Sequence, residues 1–101
     1  MSQHFCTTTM GNKAVEVLMG WDRPLQGFFM VIHDLEAPVE EDGLIYSNLD
    51  ERDPHPKVLD PFTEKLAELG IRVPTAMVEE VKDDQLWNVG NKMRRHEMQA
   101  A

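Results

Sequence analysis

Histidine and carboxylate side chains carry most of the chemistry on offer. Histidines stand at positions 4, 33, 55 and 96. They are widely spaced and follow neither the HExxH nor the CxxC pattern, and the aspartates lack the spacing of a calcium-binding loop. Glu51, Asp53 and His55 share one short segment, but their spacing selects no particular ion. No metal site and no cofactor is therefore expected. Cys6 lies two residues from His4 in a polar stretch. A reactive thiolate needs a nearby cation or a helix N-terminus to lower its pKa, and none is evident, so Cys6 reads as incidental. Ser47 has no nucleophile elbow around it, and no Gly-rich phosphate loop occurs. The carboxylate pairs Glu40-Glu41-Asp42, Asp50-Glu51, Glu79-Glu80 and Asp83-Asp84 lie in polar context. Acid–base catalysis needs carboxyls in unlike, buried environments, so these pairs read as a solvated face. No catalytic constellation emerges, which favours a non-enzymatic protein.

Charge supplies the firmest non-generic feature. The formal net charge is −8, which disfavours binding to nucleic acid through the whole surface and docking on anionic membranes. Asp34, Glu36, Glu40, Glu41, Asp42, Asp50, Glu51 and Asp53 face a single base, Arg52, over twenty residues. The C-terminal stretch then holds Lys92, Arg94, Arg95 and His96 against Glu97. Two outcomes follow. Either the basic tail folds back and screens the acidic segment, or Glu36, Glu40, Glu41, Asp42, Asp50, Glu51 and Asp53 form a surface for a basic protein partner. A narrower version of the second is a nucleic-acid mimic that inhibits a DNA-binding protein.

The alternative is a small ligand-binding protein or enzyme with a pocket near the first hairpin turn, drawing on Trp21, Arg23, His33, Tyr46 and Trp87. Arginine suits a carboxylate or phosphate clamp, and Trp87 closes such a site. His33 ends an apolar stretch, where partial burial tunes a histidine across neutral pH and exposure leaves it inert.

These candidates need elements to hold them. Val15, Val17, Met19 and Trp21 alternate with other residues, the pattern of a half-buried strand. Gly27 to His33 is apolar on both faces and reads as a central strand. Pro24 suits the first central position of a type I turn starting at Arg23, so the two strands pair as an antiparallel hairpin. Leu44 to Ser47 is a shorter third strand, set between polar, proline-containing loops. Asp60-Pro61 predicts a helix start with Asp60 as N-cap, and Gly70 its end. Phe62, Leu66 and Leu69 give that helix, 60–69, one apolar face. A second helix opens at Pro74 or Thr75, with Met77, Val78 and Val81 inward and Glu79, Glu80, Lys82, Asp83 and Asp84 in water. Residues 86–91 fit a short strand or an irregular segment, and residues 92–101 a frayed helix.

The whole is one α+β domain over residues 1–101, with residues 1–10 and 92–101 loosely held. Its expected architecture is a three- to four-stranded antiparallel sheet, the hairpin plus a third strand, with two C-terminal helices on one face. Residues 4–10 are candidates for an edge strand. The longest apolar run is Phe28 to Ile32, far short of the about 20 residues that span a bilayer. A single cysteine and no visible signal segment suit the cytoplasm. Among the seven methionines, Met10, Met19, Met30 and Met77 fall on apolar faces, whereas Met93 and Met98 are left for solvent or a second subunit. A homodimer through the uncovered face of the sheet is compatible with each reading.

Overall fold

The computed structural model describes residues 1–38 and 40–98. Five strands and two helices form the α+β architecture: β1 (Ser2–Met10), β2 (Lys13–Asp22), β3 (Gly27–Asp34), β4 (Leu44–Ser47), α1 (Asp60–Leu69), α2 (Thr75–Leu86) and β5 (Lys92–His96). The strand order is β4-β3-β2-β1-β5. The first four strands run antiparallel to their neighbours, and β5 joins parallel to β1. The sheet is thus mixed and one or two strands wider than expected, and β1 is an interior strand. Residues 92–96 form a strand where a frayed helix was anticipated; residues 99–101 lie outside the described residues.

The β2–β3 hairpin forms as its turn chemistry predicts. Gln26 N donates to Arg23 O at 3.2 Å, closing the four-residue turn around Pro24. Asp22 Oδ1 accepts from Leu25 N at 3.1 Å, an Asx contact that stiffens the same bend. Register puts Val17 opposite Ile32, Met19 opposite Met30 and Trp21 opposite Phe28. The last pair meets edge to face at 5.2 Å, and such aromatic cross-strand pairs help hold register.

One face of the sheet buries Cys6, Val15, Val17, Met19, Trp21, Phe28, Met30, Ile32 and Tyr46 against Phe62 and Leu66 of α1 and Met77 and Val81 of α2. Each large apolar side chain so buried contributes about 1.5–3 kcal/mol. α1 spans the predicted residues, and Gly70 ends it at φ 71°, a left-handed conformation that glycine adopts freely. Asp60 is the first helical residue, and its side chain caps nothing. On the opposite sheet face Phe5, Leu18 and Val31 stand in one cross-strand row, each half-buried. The Phe29 ring covers Gly20, where a β-carbon would lie 2.7 Å from the ring and 2.0 Å from the Ser2 carbonyl oxygen.

Residues 4–10, a candidate edge strand by sequence, make up most of β1, and its interior position is hidden because its inward residues are Ser2, His4, Cys6 and Thr8, all buried. They alternate in direction without alternating in hydropathy. α2 also differs from expectation: Asp84, expected in water, is 1 % exposed and lies inward with Met77 and Val81.

Candidate functional site

The inward side of β1 and β5 meets α2 through polar rather than apolar side chains. β5 alternates accordingly. Lys92, Arg94 and His96 reach α2, whereas Arg95 lies over the Phe5 ring on the outer face and pairs with Glu16 at 3.2 Å. On α2, Glu80 and Asp84 are one turn apart, so both carboxylates project toward the same strands. Lys92 Nζ lies 2.9 Å from Asp84 Oδ1, and Arg94 donates to Glu80 Oε1 at 2.8 Å.

Between these pairs runs a buried chain. Asp84 Oδ2 lies 2.6 Å from His4 Nε2, and His4 Nδ1 lies 2.8 Å from His96 Nε2. His4 is fully buried and His96 nearly so. The parallel register places Arg94 beside His4 and Cys6 beside His96, so the two imidazoles meet on a diagonal. Burial opposes the Asp84 charge, but the Lys92 ammonium, the His4 ring and the Ser2 hydroxyl all donate to it. Their combined effect holds its carboxyl below the ordinary aspartate value.

Hydrogen-bond polarity follows from that anion. A carboxylate only accepts, so His4 donates through Nε2, and in the neutral ring its Nδ1 accepts. His96 then donates through Nε2, and the free lone pair of the chain falls on His96 Nδ1. This tautomer assignment rests on the network. Glu80 Oε2 faces that nitrogen at 4.0 Å. Burial and the neighbouring positive charges push the His96 pKa below the usual histidine value, against the pull of Glu80.

His96 also reaches the surface. A cleft of about 950 Å³ opens between the α1–α2 connection and the end of β5, lined by Ile71, Val73, Ala76, Val78, His96 and Met98 among others. The chemical capacity of the site is that of a hydrogen-bonding group or metal ligand at the wall of a cleft lined by both polar and apolar side chains, held by an outer carboxylate.

The residues singled out by sequence fall elsewhere. Trp21 and Tyr46 are buried in the core, and Arg23 and His33 are exposed. Trp87 is 75 % exposed. Trp21 Nε1 donates to Asn88 Oδ1 at 3.1 Å, and Gln26 Nε2 donates to the same atom at 2.8 Å. The hairpin turn is thereby tied to the end of α2, with the Arg23 guanidinium beside Gly90. His33 and Tyr46 point to opposite faces of the sheet, and none of the five residues lines the four main clefts among the described residues. Tyr46 is titrated only with difficulty: burial, then Glu51, push its hydroxyl up to about 12.

Glu36, Glu40, Glu41, Asp42, Asp50, Glu51 and Asp53 are all exposed, in the segments flanking β4. Among the described residues none of them forms an ion pair with a cation of the chain. β5, with the basic cluster, occupies the other edge of the sheet. Five strands at about 4.8 Å spacing set these edges roughly 19 Å apart, beyond a Debye length of about 8 Å at physiological salt. The basic strand does not fold back onto the acidic segment; its cations pair with α2 and β2 instead.

Fold and side chains together define a small α+β protein with a mixed five-stranded sheet, a buried aspartate–histidine–histidine chain and one acidic edge. The chain matches no family model, no curated protein and no solved structure. No described helix is long and apolar enough to cross a membrane.

Proposed function

We propose that the protein is a non-catalytic binding module of the cytoplasm that recruits a basic protein partner through its acidic edge. The observation that carries the reading is the charge division of the sheet. The β5 cations are neutralised within the molecule, and the seven carboxylates around β4 are not. An uncompensated field of one sign steers an oppositely charged partner and speeds encounter. The buried, unpaired Cys6 suits a reducing compartment.

The test is affinity capture with the wild-type chain and with a variant carrying Glu40→Gln, Glu41→Gln and Asp42→Asn. Basic partners retained by wild type at 50 mM salt should be lost from the variant and released at about 500 mM salt, where screening shortens the reach of exposed charges. Partners that bind both proteins equally at both salts would refute the reading. If DNA competes for a captured partner, the edge acts as a nucleic-acid mimic.

A further inference from the structure

We propose that His4, His96 and Glu80 form a binding site for a divalent transition-metal ion, zinc being the natural occupant, with Asp84 as the outer carboxylate that orients His4. Each of the three residues offers one ligand atom, and these atoms all lie within 4.8 Å of one another. Two imidazoles and a carboxylate are a ligand set that zinc accepts, with the fourth position left for water or an incoming group. The cleft beside His96 supplies an entry path.

Three features distinguish this cluster from an ordinary polar patch. Asp84 Oδ2 holds His4 Nε2 at 2.6 Å, which reproduces the carboxylate–histidine pairing that fixes the tautomer of a metal ligand and raises its basicity. That contact leaves His4 Nδ1 turned toward His96. His96 in turn keeps one ring nitrogen without a donor among the described residues, facing a carboxylate oxygen at 4.0 Å. That nitrogen can take up the ring proton and free Nε2, beside His4 Nδ1, for the metal. Finally, the three ligands come from β1, α2 and β5, all parts of the folded scaffold, so the site is assembled before the ion arrives.

The geometry needs little change. Zinc bound at about 2.0–2.1 Å holds tetrahedral ligand atoms roughly 3.3 Å apart. The ring nitrogens of His4 and His96, now 2.8 Å apart, separate by about half an ångström, and the Glu80 carboxylate draws in. Ligating nitrogens must shed their proton; the rings share one, and the other nitrogen of His96 can carry it. Arg94 competes for Glu80 only through a half-exposed contact, and such pairs are worth about 0–1 kcal/mol.

The experiment titrates the untagged, chelator-treated protein with Co²⁺ and then Zn²⁺, reading visible absorption and the thermal midpoint. Expected are one Co²⁺ per chain with d–d bands of a four-coordinate ion, displacement by one equivalent of Zn²⁺, and a higher midpoint with the metal bound. Glu80→Gln and His96→Gln should each weaken Co²⁺ binding at least tenfold. Asp84→Asn should keep the bands at roughly 10–100-fold lower affinity, as for an outer-shell residue. Since His96→Gln can perturb the core, Glu80→Gln with an unchanged circular dichroism spectrum is the deciding variant. Absence of saturable Co²⁺ uptake, or binding that Glu80→Gln leaves unchanged, overturns the assignment.

Discussion

Replacing Asp84 by alanine should destabilise the fold by about 1–4 kcal/mol, and the structure says where the loss arises. The His4 Nε2–H bond, fully buried, loses its acceptor; leaving a buried donor unsatisfied costs about 1–3 kcal/mol. Lys92 also loses its partner, but its side chain is 35 % exposed and turns to water, so that share is about 0–1 kcal/mol. Urea unfolding followed by the fluorescence of buried Trp21 measures the change. With a slope near 2 kcal/mol/M the midpoint falls by about 0.5–2 M. Asp84→Asn keeps an acceptor oxygen and should cost less at pH 7. The pH dependence gives a second reading of the same interaction. The Asp84 pKa is lowered on folding, so its contribution is complete above the ordinary aspartate value and is lost as pH falls through the folded one. The stability gap between wild type and Asp84→Asn should therefore narrow below about pH 4. A cost under about 1 kcal/mol for Asp84→Ala, or a gap unchanged between pH 7 and pH 3, would refute the reasoning.

Gly20→Ala should displace the start of β1, because the new methyl would lie 2.0 Å from the Ser2 carbonyl; overpacking of this kind costs about 1–3 kcal/mol. Amide exchange at Ser2 to His4 should accelerate in that variant, and unchanged protection there would contradict the close approach. Burial raises the Cys6 thiol above its ordinary pKa, with Arg95 opposing, so native protein should resist alkylation at pH 8 and react once urea unfolds it. Arg23→Ala removes an exposed side chain at the hairpin tip and should leave the unfolding free energy from urea titration within about 0.5 kcal/mol of wild type. If the turn has a binding role, partner affinity is where that variant shows it.

The elements that an apolar pattern specifies were legible in the residues. Val15 to Trp21, Gly27 to His33, Leu44 to Ser47 and residues 60–69 appear where periodicity and turn chemistry put them, because solvent exclusion acts on those side chains wherever the chain goes. Exposure of Met93 and Met98, and burial of Met19, Met30 and Met77, follow from the same rule. The site was not legible, although partial signals existed. Ser2, His4, Cys6 and Thr8 repeat with strand period, and Lys92, Arg94 and His96 repeat with the same period opposite Glu80 and Asp84 one helical turn apart.

Such signals name partners only after the topology is known. His4 and His96 lie at opposite ends of the sequence, and their contact exists because β5 returns alongside β1 after the chain has passed through α1 and α2. The same topology sends the acidic and basic segments to opposite edges of the sheet. Composition and local pattern thus determined a small acidic α+β protein with its hairpin, its first helix and most of its core. Tertiary structure alone decided that Asp84 is buried, that two distant histidines share a hydrogen bond, and that the charges stand apart. The physical reason is that hydrophobic burial is written residue by residue, whereas a polar site depends on which distant groups the fold brings within a few ångströms.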